Sequence, residues 1–238
     1  MRNDFEFKGI RLSSFGGWVC ESMNIIHGKD KAETVKIAGS SRILHVCEGE
    51  GAMENVKIPI RCAVPADADL DAISVWLRGY GRLIRSCDEA HFHRAFVLSE
   101  IEMERVIPGS NVRRFSVSFD CDPRRFLWPL QQTQILTDAG KIRNDGNGRS
   151  EPLIRISGGS ALTGCTLMVG ANSMMIDHAG TELTLDCDAR LAYGADGTLC
   201  NTDVMRAGDW ICIGADGEMC SWTGSIERVE VETNAWDY

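Results

Sequence analysis

Apolar and polar side chains alternate along most of the chain, and a period of two predicts β-strands. The clearest example is ENVKIPIRCAV, in which five apolar residues share one face of a strand: Val56, Ile58, Ile60, Cys62 and Val64. RLIRSC, HRAFVLSEIEMERV and RRFSVSFDC predict further strands in the same half of the chain. Between the last two, VIPGSNVRR supplies the proline, glycine and asparagine of a hairpin tip.

One stretch has the helical period instead. ADADLDAISVWLRG offers Asp67 or Asp69 as the N-cap and places Gly79 where a left-handed C-terminal residue belongs. The spacing predicts a helix from Asp69 to Gly79. The pair Gly79 and Gly81 then stands between a helix and a strand, whereas a dinucleotide-binding loop needs a strand followed by a helix. These glycines are therefore interpreted as the end of the helix and not as a nucleotide site.

The pattern changes in the second half of the chain. QQTQILTDAGKIRNDGNGRSEP is polar and rich in turn residues, and after Pro152 short strands alternate with glycine and Asp-Gly turns. This spacing is typical of an antiparallel β-sandwich. GADGTLC and GADGEMC are interpreted as two turns, because a calcium-binding repeat array needs more copies at a tighter period. Two domains are expected, residues 1–127 and 128–238.

Charge differs between these halves. The chain of 238 residues has a formal net charge of -9. Residues 1–127 contain 18 basic and 18 acidic residues, and residues 128–238 contain 7 and 16. An acidic second half repels phosphates, which disfavours nucleic-acid binding. No apolar run approaches the roughly 20 residues of a membrane helix, and the N-terminal stretch lacks the apolar core of a secretory signal. We expect synthesis in a cytoplasm and no membrane partner.

The ten cysteines fit that compartment. No Cys-x-x-Cys pair occurs, so neither a zinc knuckle nor a thioredoxin-like site is predicted. Most cysteines fall inside apolar strands, where a thiol behaves as a small hydrophobic group. Buried free thiols are the favoured interpretation, and a disulfide framework is the alternative.

Two histidines raise the question of a metal site. His91 and His93 are two residues apart in a predicted strand and share a face. Asp88 or Glu89 could supply a third ligand, but a complete site needs more. Two exposed histidines are the favoured interpretation, and no metal or cofactor is predicted.

Three acidic residues could resemble a glycosidase pair. Glu100, Glu102 and Glu104 alternate with apolar residues, so they are more simply the solvated face of a strand. They would pair with Arg113 and Arg114 across the hairpin turn. No nucleophile motif or zinc-hydrolase motif is present, so no catalytic residue is predicted.

Three tryptophans in the second half are candidates for carbohydrate contact. Trp210, Trp222 and Trp236 could form a platform on which a saccharide stacks. Packing in the core or at its rim is the favoured alternative.

Several sequence segments together resemble those of one protein family. FEFKGIRLSSFGGWV, KIPIRCAV, WLRGYGRLIRSCDEAHFHRAFVLSEIEMERV and RRFSVSFDCDPRRF occur in that order in the first half. GKIRNDGNGRSEPLIRISGG, LTLDCD, RAGDWICIGADGEMCSWTG and NAWDY follow in the second. In order and spacing this set resembles the phage distal tail proteins (Dit), tail components of long non-contractile tails. No single segment is diagnostic of the family, but together the segments span essentially the whole chain.

The resemblance implies a mainly β protein. Its first domain would be a β-barrel-like sandwich with one α-helix and a β-hairpin, and its second a galectin-like β-sandwich. Six first domains would form a ring at the virion tail tip, joining the tail tube protein to a tail-associated lysin, fibre or receptor-binding protein. Such a hub needs no cofactor and no catalysis.

The resemblance also suggests where the ring contacts lie. They would involve the helix and the hairpin from Glu100 to Phe119, with Glu100, Glu102, Glu104, Arg113 and Arg114 as candidates. The alternative function is a carbohydrate-binding accessory module of a tail or wall-associated particle. A wall hydrolase has no supporting residues in the sequence.

Overall fold

The structure is a computed structural model that describes residues 3–39, 41, 43–47, 52–98, 100–104, 111–130 and 132–238, except for the side chain of Ile43. The chain is mainly β, with 52% strand and 6% helix. It divides into two compact units, residues 1–128 with residue 238, and residues 129–237. Within the described ranges, no helix is long and apolar enough to cross a membrane.

Within its described residues, the first unit contains ten strands, one α-helix and one 3-10 helix (Leu12–Phe15). They are β1 (Phe5–Phe7), β2 (Ile10–Arg11), β3 (Trp18–Val19), β4 (Ala32–Lys36), β5 (Ile43–Cys47), β6 (Val56–Pro65), α1 (Leu70–Trp76), β7 (Tyr80–Arg85), β8 (Asp88–Val97), β9 (Val112–Cys121) and β10 (Arg125–Leu127). Seven of the strands form one sheet in the order β2-β1-β7-β8-β9-β6-β3, and β10 pairs with β8. All these pairings are antiparallel. The strands predicted from alternation are present as β6, β7, β8 and β9, and the five apolar residues of β6 are buried. The strand predicted over HRAFVLSEIEMERV is shorter than expected, because β8 ends at Val97 and only Met103 forms a further bridge in the described part of that segment.

An aromatic cluster joins the helix to this sheet. The rings of Phe5 and Trp76 stack with centroids 5.5 Å apart, and Phe5 meets Phe119 edge-on at 5.7 Å. Trp76 Nε1 donates a hydrogen bond to the backbone oxygen of Phe7 at 2.7 Å. The helix therefore buries Ile73 and Trp76 against β1 and satisfies the one polar atom of the indole.

The helix boundaries follow from its end residues. Asp69 is the N-cap, because its Oδ1 accepts a hydrogen bond from the Ala72 backbone N–H at 2.9 Å. The helix ends at Trp76, three residues before the predicted end, and Gly79 adopts the expected left-handed conformation with φ +71°. A Cβ on Gly81 would lie 2.5 Å from Lys8 Cγ and 3.0 Å from the Phe7 ring. Gly79 thus ends the helix as predicted, whereas Gly81 lies within β7, where the close approach of Lys8 and Phe7 leaves little room for a side chain.

The second unit contains eleven strands. They are β11 (Gln134–Leu136), β12 (Gly140–Ile142), β13 (Leu153–Gly158), β14 (Leu162–Val169), β15 (Asn172–His178), β16 (Glu182–Asp186), β17 (Leu191–Gly194), β18 (Val204–Ala207), β19 (Glu218–Thr223), β20 (Ile226–Glu232) and β21 (Trp236–Asp237). The first ten of these form two five-stranded antiparallel sheets, in the orders β11-β20-β13-β16-β17 and β12-β19-β14-β15-β18.

One hydrophobic core lies between these two sheets. Ile154, Leu185 and Val231 come from the first sheet, and Leu167 and Ile176 come from the second. The unit is therefore a β-sandwich, and the predicted mainly β class is confirmed. The predicted turns GADGTLC and GADGEMC are also present, with Gly197 and Gly217 at positive φ.

The polar stretch before Pro152 is more ordered than its composition suggested. It contributes strands β11 and β12, one to each sheet. Asn144 is buried, and its Nδ2 donates hydrogen bonds to the backbone oxygens of Gly148 and Ile213 at 2.8 and 3.2 Å. Turn residues here satisfy buried backbone groups, which composition alone does not reveal.

All ten cysteines are free, as favoured above. Six are buried, Cys87 and Cys212 are half-buried, and Cys20 and Cys47 are exposed. Burial raises the pKa of Cys121 to about 12 and that of Cys220 to about 11, so both remain protonated at neutral pH.

Candidate functional site

The three acidic residues predicted at a ring contact lie on the solvated side of their segment. Glu100, Glu102 and Glu104 are exposed, while Ile101 and Met103 between them pack against the core of the first unit. Their alternation therefore separates solvent from core, as expected for the edge of a sheet. The segment is tied to β9 by a bridge from Met103 to Phe115 and by the Glu104 backbone N–H, which donates to the Arg114 oxygen at 2.9 Å.

The two predicted arginines differ in their surroundings. Arg114 is exposed, whereas Arg113 is half-buried and its Nε donates to the backbone oxygen of Ala66 at 3.3 Å. The backbone pairing places Arg114 beside Glu104, as the predicted hairpin required. The predicted hairpin tip, residues 105–110, lies outside the described residues.

A second hairpin of the first unit was not predicted. β4 and β5 form a two-stranded sheet of their own, and every described residue in it is exposed. The register pairs Val35 with Leu44 and Thr34 with His45, so these two pairs lie on opposite faces. We call the face that carries Val35, Leu44 and Val46, continued by Ile37 just after β4, the apolar arm face, and Glu33 lies on it opposite Val46.

The side chains of the apolar arm face are between 43% and 51% exposed: Val35 43%, Ile37 49%, Leu44 51% and Val46 46%. The signal for this hairpin was present in the sequence. ETVKIAGSSRILHVC alternates on both sides of Gly39, which has φ +78°. A cluster of exposed apolar side chains on an otherwise solvated hairpin indicates an interaction surface.

The histidine pair of β8 does not resemble a metal site. His91 Nδ1 lies 2.6 Å from Asp88 Oδ1, and Arg125 donates to the other oxygen of Asp88 at 3.0 Å. His93 is 2% exposed, so the expectation of two exposed histidines was wrong. Its Nδ1 donates to the Asp122 backbone oxygen at 3.1 Å, and Arg85 lies 3.5 Å from its Nε2. Two guanidinium groups beside the imidazoles disfavour a bound cation.

This network also explains two shifted pKa values. Burial lowers the pKa of His93, and the charge of Arg85 lowers it further. The pKa of Asp88 is also lowered, because hydrogen bonds from His91 and Arg125 together outweigh the opposing effect of its burial.

The three tryptophans of the second unit pack against protein atoms. Trp210 is 9% exposed and Trp236 is 4% exposed, and Trp222 is half-buried. A Cβ on Gly148 would lie 2.4 Å from the Trp236 ring, whose Nε1 donates to the Arg149 oxygen at 3.1 Å. A saccharide platform needs exposed ring faces, so the burial of Trp210 and Trp236 supports the packing interpretation.

A further cluster of potential ligands was missed at the sequence level. His178, Cys200 and Asp203 bring one ligand atom each within 4.8 Å of one another. His178 Nδ1 is 2.7 Å from Asp203 Oδ2. His178 ends β15, whereas Cys200 and Asp203 lie in the connection between β17 and β18, and their spacing matches no metal-binding motif. Only the folded chain brings them together.

The two units together define the fold of the chain. The chain combines a mainly β unit, which carries one short helix and an exposed hairpin, with a second unit that is a two-sheet β-sandwich. The fold is that of the phage distal tail proteins, as the sequence resemblance implied.

Two solved structures carry this comparison. The first is the Dit protein of phage SPP1, gp 19.1, described as a paradigm of the hub adsorption apparatus in phages that infect Gram-positive bacteria. It matches with a TM-score of 0.71 at 13% identity, covering 98% of this chain and 99% of that one. The second is a chain of the phage p2 baseplate in its activated conformation with Sr, with a TM-score of 0.54, 6% identity and 97% coverage of each chain. No protein-family model and no curated protein matches the sequence.

Proposed function

We propose that this chain is a structural hub of a phage tail tip and has no catalytic role. Six copies form a ring that connects the tail tube to the baseplate or to receptor-binding and fibre proteins. The observation that carries this proposal is the match to the SPP1 hub protein along both chains from end to end. Proteins that share a single domain can differ in function. A match that covers both units of the chain is stronger support for a shared role, because it includes the whole architecture.

The exposed hairpin supports self-assembly. A two-stranded hairpin is marginally stable alone in water, and this one leaves its apolar arm face uncovered within a single chain. A closed ring of identical subunits provides a cover, because each subunit presents one surface to the neighbour on one side and a different surface to the other. We therefore assign the apolar arm face to the contact with a second copy of this chain.

The charged residues of the other hairpin complete the proposed contact. Glu100, Glu102, Glu104 and Arg114 are exposed, so they can pair with charges of a neighbouring subunit. Such rim charges influence orientation and association rate more than affinity. Arg113 is assigned to the same contact, although its hydrogen bond to Ala66 also ties it to its own subunit.

The oligomeric state of paired variants tests the assembly. Light scattering after size exclusion, over a series of protein concentrations, should give a species six times the 26.2 kDa chain mass. Val35→Lys with Leu44→Lys should shift the protein to monomer, because two lysines on the apolar arm face would lose hydration in a contact. The matched control is Thr34→Lys with His45→Lys, which adds lysines at the adjacent register pair on the opposite face.

The two double variants separate the possible outcomes. Retention of the hexamer by the control and its loss in the Val35/Leu44 variant would support the assignment. Equal behaviour of the two variants would contradict the role of the apolar arm face. A wild-type chain that stays monomeric at every concentration would contradict the ring itself.

A further inference from the structure

One edge of the second unit is formed by a connection between its two sheets. β17 is an edge strand of one sheet, and β18 is an edge strand of the other. The chain leaves β17 at Gly194, passes Cys200 and a 3-10 turn at Asn201–Asp203, and enters β18. His178 ends β15, which is the hydrogen-bonded neighbour of β18. His178, Cys200 and Asp203 thus gather where the sandwich closes.

The three side chains already point toward one another. The His178 and Asp203 side chains are 13% and 30% exposed, and Cys200 is 9% exposed. A carboxylate can only accept a hydrogen bond here, so the 2.7 Å contact means that His178 Nδ1 donates to Asp203.

The surrounding glycines leave space beside these groups. The position of a Cβ on Gly194 would be 3.5 Å from Cys200 Sγ and 3.7 Å from the His178 ring. The same position is 3.2 Å from Asp196 Oδ1, so a second carboxylate borders the space. On the other side of the imidazole, a Cβ on Gly180 would be only 2.6 Å from Nε2. The hydrogen bond from Nδ1 to Asp203 makes Nδ1 the ring nitrogen on the side of that carboxylate.

We propose that His178, Cys200 and Asp203 form a zinc site at this edge of the sandwich. Imidazole, thiolate and carboxylate are the three side-chain ligands that Zn²⁺ uses in proteins. The sulfur ligand disfavours Mg²⁺ and Ca²⁺, which prefer oxygen. Three protein ligands leave the fourth tetrahedral position to a water molecule, and Asp196 adds negative charge beside the site.

Metal binding requires small changes that balance chemically. Cys200 loses its thiol proton to solvent, and His178 moves its proton from Nδ1 to Nε2 so that Nδ1 can bind the metal. The Nδ1 to Oδ2 separation must open from 2.7 Å to about 3.3 Å, as tetrahedral geometry at the usual zinc distances requires. The side chains at the end of a strand and in a 3-10 turn can make this adjustment.

The bound ion would link the two sheets. Its ligands come from the end of β15 and from the connection between β17 and β18. Because the ligands are held together only in the folded unit, binding stabilises that unit against unfolding. This stabilising effect does not depend on the proposed hub function.

Cobalt titration of the full chain tests the site. Co²⁺ replaces Zn²⁺ in such sites, and a thiolate ligand gives it a charge-transfer absorption in the near ultraviolet. The background chain carries Cys20→Ser and Cys47→Ser, which removes the two exposed thiols. Adding Cys200→Ser should abolish the band, and adding Asp203→Asn should weaken Co²⁺ binding at least tenfold. The matched control is Cys212→Ser, which removes a half-buried thiol of the same unit, and it should leave the band unchanged.

A second measurement guards against misfolded variants. Zn²⁺ should raise the Tm of the background chain and of the Cys212→Ser chain, and a chelator should reverse the shift. The Cys200→Ser chain should show no shift. The proposal is overturned by a band that persists without Cys200, by a band that disappears without Cys212, or by a background chain that gives neither band nor Tm shift.

Discussion

His93 is a buried histidine, and it makes folding stability depend on pH. Its backbone hydrogen bond to Asp122 fixes the proton on Nδ1, which leaves Nε2 facing the Arg85 guanidinium. Asp88 and Arg125 are the other charged groups that act on it. The neutral form of His93 is favoured because burial and two neighbouring arginines oppose a positive charge on the imidazole.

The sign of the effect follows from the lowered pKa. Below about pH 6.5, the usual pKa of histidine, the unfolded chain binds a proton that the folded chain still excludes. His93 therefore contributes full stability above that pH, and the contribution is lost as pH falls toward the folded pKa. The expected slope is at most about 1.4 kcal/mol per pH unit.

Urea denaturation at a series of pH values measures this slope. His93→Gln keeps a hydrogen-bonding side chain but cannot titrate, so part of the decline between pH 6.5 and the folded pKa of His93 should disappear. The same decline in both proteins would show that another group is responsible. Asp88, whose pKa is lowered, contributes in the same direction but only below about pH 4, the usual range of carboxyl groups.

The short helix depends on its N-terminal cap. α1 has seven residues, too few to be stable without packing and capping. Asp69→Ala removes the acceptor of the Ala72 N–H and should lower the free energy of unfolding by about 1 kcal/mol. Asp67→Ala, at the alternative cap suggested by the sequence, should change it by less than about 0.5 kcal/mol. Urea unfolding of the two variants decides between the two caps, and equal losses would contradict the assignment.

The elements that the sequence predicted are those with strong local signals. β6 alternates without interruption, and α1 has an acidic cap and a glycine in the left-handed conformation after its end. The β4–β5 hairpin carries alternation too, but its apolar residues are exposed, so burial does not explain them. β11 and β12 lie in a polar stretch and are held by pairing with distant strands.

The side-chain clusters were harder to predict than the strands. His178 and Cys200 meet only because β15 and the connection after β17 converge at one edge of the sandwich. Likewise, His93 is buried because neighbouring segments cover β8. The position of a histidine within a predicted strand does not reveal whether that strand is covered. Contacts between residues far apart in sequence are set by the tertiary fold, and a single sequence has no local pattern for them.

The whole chain preserves an architecture with little preserved sequence. At 13% identity, the match to the SPP1 protein covers 98% of this chain. Core positions tolerate exchange among apolar residues of similar volume, whereas the order of strands and turns is constrained by the fold. The order of several short sequence segments therefore indicated the fold, although no single motif did.

The charge difference between the halves fits the proposed assembly. The first half is neutral in sum, and the second half carries the entire formal net charge of -9. Six copies of a strongly charged ring-forming part would repel one another, so a neutral first half favours close contact. An acidic second half would then stay apart from its neighbours and from nucleic acid.

Electron microscopy of the purified chain tests the central claim most directly. Class averages of negatively stained particles, recorded at the highest concentration at which the protein remains soluble, should show closed rings with six-fold symmetry. The ring proposal would be contradicted by averages that contain single chains only, or by open filaments in place of closed rings.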